Sequence, residues 1–311
     1  MNLLITGISG FIGRSLVEEI VNRKLSWTIY GVDIKKPCFN DSKYLKYVVF
    51  DTLDIRDPRA VCEYFANKKF DGVIHLAAVS RVVDAEKDKE NCIKTNLFGT
   101  KNLLENVSKV PETWLIFGSS REVYGEQNKF PVKESAEKNP INIYGICKLE
   151  GELLVKQLIK RHIILRFSNV YGNNYDILGR VIPTFVRCAL NDETLCLEGG
   201  GQIIDFTHIS DTIDCVIKAA DMLQSKALET EDIHVCPGCE NKITDIILYL
   251  SNYLNKELKV SYRKGRSYDV NKFIGDPTKR REILCDKEFV SLKKGVSLLL
   301  KSVKRQGINE L

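Results

Sequence analysis

The chain opens with an apolar run, Leu3-Leu4-Ile5, then a glycine-bearing turn, then apolar positions at helical spacing over 11–23. That alternation repeats through the first half. Short β-like runs at 2–6, 27–33, 47–50, 72–76, 113–118 and 163–167 are separated by amphipathic segments, clearest at 11–23, 58–68, 91–108 and 144–160. In the last segment Leu149, Leu153, Leu154, Leu158 and Ile159 form an apolar stripe. Strands that are apolar throughout, rather than alternating, need cover on both faces, so the pattern predicts an α/β fold built on a doubly wound parallel sheet. After about residue 168 the rhythm breaks into a loop around Gly172-Asn173-Asn174, a helix near 181–190, a Gly-rich turn at 199–201, and helices near 211–223, 244–255 and 289–304. The change predicts a first domain over 1–168, to which about 203–235 returns, and a smaller lobe over 169–311.

Composition narrows what the chain can serve. With 311 residues, 44% apolar and 28% charged, it can bury a substantial core. No stretch approaches the roughly 18 consecutive apolar residues of a membrane span, and residues 1–6 read as a buried strand rather than a signal peptide, which points to the cytoplasm. The net charge of +5 is spread out, and the tight basic cluster Lys279-Arg280-Arg281 reads as helix decoration, so a small anionic ligand is expected rather than nucleic acid or a membrane. The ten cysteines are scattered through strand-like and helix-like runs and read as reduced thiols. Cys236-Pro237-Gly238-Cys239 reads as a turn, because a zinc site would want a second pair or histidines in register; no metal is predicted.

The candidate chemistry starts at Thr6-Gly7-Ile8-Ser9-Gly10-Phe11-Ile12-Gly13, between the first strand and the first helix. Gly7 permits the turn out of the strand, Gly10 lets a pyrophosphate approach the backbone, and Gly13 lets the helix pack on the strand. Twenty residues on, Asp33 ends the second strand, where a carboxylate accepts hydrogen bonds from an adenosine ribose and repels a 2′-phosphate. The pattern predicts dinucleotide binding, with NAD favoured over NADP. Tyr144 and Lys148 stand four apart on one helix face, where an ammonium favours the phenolate and makes the tyrosine a base. Ser119-Ser120 ends the fifth strand, at the sheet edge where ligands of such folds bind.

Taken in order, TGISGFIG, Asp33, Asp54-Ile55-Arg56-Asp57, His75-Leu76-Ala77-Ala78, Asn96-Leu97-Phe98-Gly99-Thr100, Ser119-Ser120-Arg121-Glu122-Val123-Tyr124-Gly125, Tyr144-x-x-x-Lys148 and Arg166-Phe167-Ser168-Asn169-Val170-Tyr171-Gly172 resemble the extended short-chain dehydrogenase/reductase family. The resemblance is to its NAD-dependent nucleotide-sugar epimerases and dehydratases. It implies a Rossmann domain with a nucleotide-sugar lobe, a homodimer, and tightly bound NAD on Gly7, Gly10, Phe11, Ile12, Gly13, Asp33, Asp54, Ile55, Leu76, Ala77, Ala78, Tyr144 and Lys148. Tyr144 would be the base, Lys148 the nicotinamide-ribose ligand, and Ser120 the hydroxyl partner, while Asn169 and Arg266 would contact substrate phosphates. Asn96 would support the fold near the site.

The reaction branch turns on Glu122. A Glu directly before Val-Tyr-Gly resembles dehydratases and decarboxylases and would remove the sugar C5 proton, which favours a 4,6-dehydratase over a 4-epimerase. A decarboxylase, a reductase and a non-catalytic NAD-binding regulator are the further readings. Two departures stand against a simple transfer. Arg121 occupies the place of an Asp acid that many dehydratases carry, and a guanidinium cannot donate that proton near neutral pH. Ile204 occupies the place of a phosphate-binding Arg, which leaves Arg266, Arg180 or Arg187 for the pyrophosphate, and the bland reading of Glu122 is an ion-pair partner of Arg121.

Overall fold

The computed structural model describes residues 1–39 and 41–306. In chain order the first half runs β1 (Asn2–Thr6), α1 (Phe11–Asn22), β2 (Thr28–Asp33), β3 (Val48–Thr52), α2 (Pro58–Ala66), β4 (Gly72–His75), α3 (Val82–Lys87), α4 (Lys89–Cys92), α5 (Thr100–Val107), β5 (Trp114–Ser120), α6 (Ile143–Leu158) and β6 (His162–Phe167). A π-helical segment, Ile93–Gly99, carries α4 into α5, so one long helix predicted over 91–108 is three abutting ones. The second half runs β7 (Asn169–Tyr171), α7 (Val181–Leu190), β8 (Leu195–Glu198), β9 (Ile203–Ile204), β10 (Phe206–His208), α8 (Ile209–Gln224), β11 (Thr230–Val235), β12 (Asn241–Lys242), α9 (Ile243–Leu254), β13 (Val260–Arg263), β14 (Lys272–Phe273), α10 (Thr278–Ile283) and α11 (Leu292–Gln306).

Two compact units result. The first holds Met1–Gly125, Glu137–Arg166 and Ile213–Ile233; the second holds Glu126–Ala136, Phe167–Thr212 and His234–Leu311. The doubly wound sheet is present as seven strands in the order β11-β6-β5-β4-β1-β2-β3, parallel where β4 meets β5 and β1 and where β2 meets β1 and β3. Its order reverses between β1 and β4, the kind of switch point where such sheets bind ligands beyond their carboxyl ends. Both β5 and β6 are buried along their whole length, as covered strands must be. Val73, Leu104, Leu115, Phe117, Val155 and Ile164 are among the residues of the core between sheet and helices. The second unit has its own core, with Phe185, Leu250, Val296, Leu299 and Leu300 from α7, α9 and α11, and short strand pairs β7 with β10 and β8 with β13.

On helix α6 the predicted stripe divides: Leu154, Leu158 and Ile159 pack on the core between sheet and helices, while Leu153 stays outside it. Leu153 is 53% exposed and Ile146 43%, whereas Lys148, Gly151, Glu152 and Val155 face inward. The reason is that the inward charges have partners there: Lys148 Nζ donates to the Gly118 carbonyl at 2.7 Å, and Glu152 accepts from Ser119 Oγ at 2.6 Å and from Arg166. Gly151 allows the closeness, since a Cβ there would lie 2.7 Å from the Phe117 ring. Among the described residues, no helix is long and apolar enough to cross a membrane.

Candidate active site

The loop after β1 is shaped by contacts that side chains would block. Gly7 has φ +71°, and a Cβ there would lie 2.6 Å from the Ala77 nitrogen. At Gly13 a Cβ would sit 2.5 Å from the Gly7 oxygen, so the first turn of α1 presses directly on the loop. Gly10 differs: it is exposed, caps α1 without a side-chain hydrogen bond, and a Cβ there would meet only the Gly7 oxygen at 3.1 Å. No acidic residue occupies the first turn of α1, so the positive end of its dipole is not offset by a side chain and suits an anion.

Asp33 stands at the end of β2, with one oxygen accepting from the Ser9 N–H at 3.1 Å and the other from the Lys35 N–H at 3.2 Å. Those bonds fix the carboxylate beside the glycine loop. Leu76, Ala77 and Ala78 follow β4 half-buried, tied to β1 by the Leu76 N–H to the Thr6 carbonyl at 3.1 Å and the Ala77 N–H to Thr6 Oγ1 at 3.3 Å. His75 bridges Thr6 Oγ1 at 2.6 Å and Thr100 Oγ1 at 2.9 Å, and burial pushes its pKa down to about 3. Asn96 clips the next stretch by accepting from the Val79 N–H at 2.7 Å and donating to the Val79 carbonyl at 3.0 Å. Phe11 and Ile55 are buried and Ile12 half-buried, and the Asp54 carboxyl is held low by its hydrogen bonds from Arg56.

The second half of the site gathers where β5 ends. Ser120 Oγ accepts from the Glu122 N–H at 3.2 Å and caps a 3₁₀ turn, Arg121–Tyr124. One oxygen of Glu122 pairs with the Arg121 guanidinium at 2.8 Å and the other accepts from Asn142 Nδ2 at 2.8 Å. Asn142 is also the N-cap of α6, its Oδ1 accepting from the Gly145 N–H at 2.8 Å. Ser120, Glu122 and the start of the Tyr144 helix are thus joined by one chain of hydrogen bonds. Lys148 Nζ lies 5.9 Å from the Tyr144 ring centre, and burial pushes its pKa down to about 8, with Cys92, Cys147 and Glu152 working the other way. Ser119 turns the opposite way, to Glu152, so the two adjacent serines do different work.

Three predicted residues belong to the second unit. Asn169 donates its backbone N–H to the Asp205 carbonyl at 3.4 Å on β7. Arg180 caps α7 and pairs with Asp176 at 3.4 Å; Arg266 pairs with Asp269 at 2.9 Å and Glu198 at 3.3 Å. Ile204 is a core residue on β9. The sequence reading missed Asn142 and Glu152, although each carried a signal: Asn142 stands three residues before the Gly145 N–H it caps, and Glu152 stands one helical turn after Lys148.

The glycine loop, the fixed Asp33 and the tyrosine–lysine helix together correspond to a known pattern: the family model described as the NAD dependent epimerase/dehydratase family matches residues 3–235. The chain belongs to that family. A UDP-N-acetyl-alpha-D-glucosaminuronate decarboxylase of Bacillus cytotoxicus is 30% identical to this family member over 276 residues, 84% of each chain. Among solved structures, a UDP-glucose 4-epimerase of Thermotoga maritima with UDP-glucose is 27% identical at a TM-score of 0.88, over 98% of this chain and 99% of that one. A UDP-glucuronic acid 4-epimerase of Bacillus cereus with UDP-glucuronic acid and NAD is 26% identical at a TM-score of 0.87, over 99% and 100%. The cofactor of this epimerase/dehydratase is NAD. The loop fits it, since the spaces a Cβ would fill at Gly7 and Gly13 are closed by backbone while that at Gly10 is open to an anion.

That asymmetry yields a prediction. Gly10→Val should keep the fold, because the added Cβ meets a single backbone oxygen, at 3.1 Å, that has to give by only a few tenths of an ångström, yet weaken NAD binding by at least about tenfold, or about 1.4 kcal/mol. Calorimetry with NAD, beside a circular dichroism melt, reads both; undiminished affinity would remove the loop from the cofactor site.

Proposed function

We propose that this enzyme is a nucleotide-sugar 4-epimerase that keeps NAD bound through turnover. The neighbours that bind UDP-glucose and UDP-glucuronic acid support the substrate class, and the choice of reaction rests on Glu122. One of its oxygens pairs with Arg121 and the other accepts from Asn142, which favours a carboxylate that braces the start of α6 over one that takes the C5 proton. The epimerases among the solved structures support the same choice.

Gly7, Gly10, Phe11, Ile12, Gly13, Asp33, Asp54, Ile55, Leu76, Ala77 and Ala78 would hold NAD, with Asp33 on the adenosine ribose. When bound, NAD supplies the hydride acceptor at sugar C4 and the donor that returns it. Tyr144, as phenolate, takes the proton of the C4 hydroxyl, and Lys148 stabilises that phenolate and engages the nicotinamide ribose. The Ser120 hydroxyl hydrogen-bonds the C4 oxygen, which becomes a ketone. The keto sugar turns over, hydride is accepted on its other face, and Tyr144 gives the proton back, so the net change is inversion at C4 alone. The second unit would hold the nucleotide sugar, with Asn169, Arg180 and Arg266 at the pyrophosphate. Half-exposed guanidiniums already oriented by Asp176, Glu198 and Asp269 suit that task.

In heavy water, with UDP-glucose and UDP-glucuronic acid as substrates, NMR should find inverted C4 and no deuterium at C5 or C6. Deuterium at C5 with loss of water from C6 would replace this reading by dehydration. Loss of carbon dioxide from UDP-glucuronic acid would replace it by decarboxylation, bulk consumption of NAD(P)H by reduction, and silence by a regulator.

The charge of Lys148 sets a pH limit. Below pH about 8 it is the cation that favours the Tyr144 phenolate; above it the ammonium deprotonates and that support is lost. A plot of kcat/KM against pH should therefore fall on an alkaline limb beginning near 8, and a flat profile to pH 10 would refute the role of Lys148.

We further propose a homodimer through α6. Phe98, Ile146 and Leu153 are 53%, 43% and 53% exposed on α6 and on the π-helical segment packed against it, an apolar surface that a monomer would leave in water. Light scattering at micromolar concentration should give twice the chain mass; a monomer would sink the proposal, and Leu153→Glu should split the dimer while leaving the cofactor loop untouched.

A further inference from the structure

One side chain of the glycine loop crosses to the strand beside it. Ser9 is half-buried, two residues before the start of α1. Its N–H donates to one oxygen of Asp33 at 3.1 Å, and its hydroxyl donates to the Lys35 carbonyl at 2.5 Å. The Lys35 N–H closes the circuit on the other Asp33 oxygen at 3.2 Å. Three bonds thus join a loop residue, a carboxylate and the bend that follows β2 into one ring. Further along, Arg14 Nη1 donates to the Cys38 carbonyl at 2.9 Å and the Tyr44 hydroxyl donates to Asn22 Oδ1 at 3.2 Å, so Cys38 and Tyr44 are tied to α1 as Lys35 is tied to the loop before it.

We propose that Ser9 is a positioning residue that sets the choice of NAD over NADP, a role that rests on the placing of Asp33 at the adenosine ribose. The bend carries two opposite answers to a 2′-phosphate. Asp33 accepts from a 2′-hydroxyl and repels a phosphate, whereas the ammonium groups of Lys35 and Lys36, both exposed, attract one. Which answer prevails depends on where the bend is held. A carboxylate oxygen has two lone pairs, so each Asp33 oxygen can accept a backbone N–H and still serve a ribose hydroxyl.

The Ser9 hydroxyl decides the matter for Lys35, whose backbone is fixed at its carbonyl by Ser9 and at its N–H by Asp33. Without the hydroxyl only the N–H bond remains. Ile34, between Asp33 and Lys35, is 58% exposed and offers no apolar anchor in its place. The bend is then free to turn, the carboxylate loses its fixed aim at the ribose, and the lysines can swing toward a phosphate. The Ser9–Lys35 bond lies where water reaches it, so deleting the hydroxyl leaves no buried carbonyl without a partner and costs the fold little. Selectivity and stability are thereby separable at this residue.

A competition between the two dinucleotides tests this without reference to turnover. The full chain is dialysed to equilibrium against equal concentrations of NAD and NADP, and the dinucleotides it retains are separated by liquid chromatography. The parent should hold NAD in at least about tenfold excess. Ser9→Ala should cut that ratio about fivefold, the net effect of one hydrogen bond, at an unchanged melting temperature, and Ser9→Thr, which keeps a hydroxyl, should restore it. Asp33→Asn, which removes the charge, should abolish the preference. If Asp33→Asn does so while Ser9→Ala keeps the parent's ratio, the inference falls and the ribose assignment of Asp33 stands. If neither variant moves the ratio, the ribose assignment falls and takes the inference with it. A Ser9→Ala chain that retains less of both dinucleotides at an unchanged ratio would make Ser9 a builder of the loop alone and overturn its part in the choice.

Discussion

A wholly buried guanidinium sets the terms for much of the first unit. Arg166 has no exposed side-chain surface, and its donors reach Glu152 at 2.7 and 2.8 Å, Asp232 at 2.7 Å and the Tyr124 hydroxyl at 2.8 Å. Glu152 passes the connection on to Ser119 at the end of β5. One cation thus ties β6, β11, α6 and the turn after β5 into a single arrangement, and each partner is needed because an uncompensated charge in such a place costs about 3–5 kcal/mol. Ser120 is next to Ser119, and Lys148 lies one helical turn from Glu152; the cluster fixes both Ser119 and Glu152. The candidate site inherits its precision from electrostatics that does no chemistry.

Most of the sheet was legible because covered parallel strands carry an unmistakable apolar signature. β1 falls on the predicted residues, and β2, β3, β4, β5 and β6 within two residues of them. Periodicity also found α7 outright. On α6 and at its end it found Leu154, Leu158 and Ile159, which pack on the core, but gave no sign that Lys148 and Glu152 also turn inward. Hydrophobicity assigns faces correctly only when polar side chains lack partners inside, and here Gly118, Ser119 and Arg166 supply them. The short strands of the second unit escaped notice for a different reason: two to four residues are too few to establish a period.

At the candidate site, the glycines, Asp33, Tyr144 and Lys148 were readable because each answers a demand that few residue types meet. The ion pair of Glu122 with Arg121 was readable because the two are adjacent, whereas the hydrogen bond from Asn142, twenty residues on, was not. A charge that could act on a substrate and a charge that braces a helix look alike in a sequence.

His75 lies beneath the glycine loop, bridging Thr6 and Thr100 with both ring nitrogens, and stays neutral until about pH 3. An imidazole is the ordinary means by which a protein senses mild acid. Locked between two hydroxyls and stripped of water, this one is deaf to it: mild acid places no charge on the imidazole beneath the glycine loop, so the link between β1, β4 and the helix at Thr100 holds unchanged where an exposed histidine would already have become a cation.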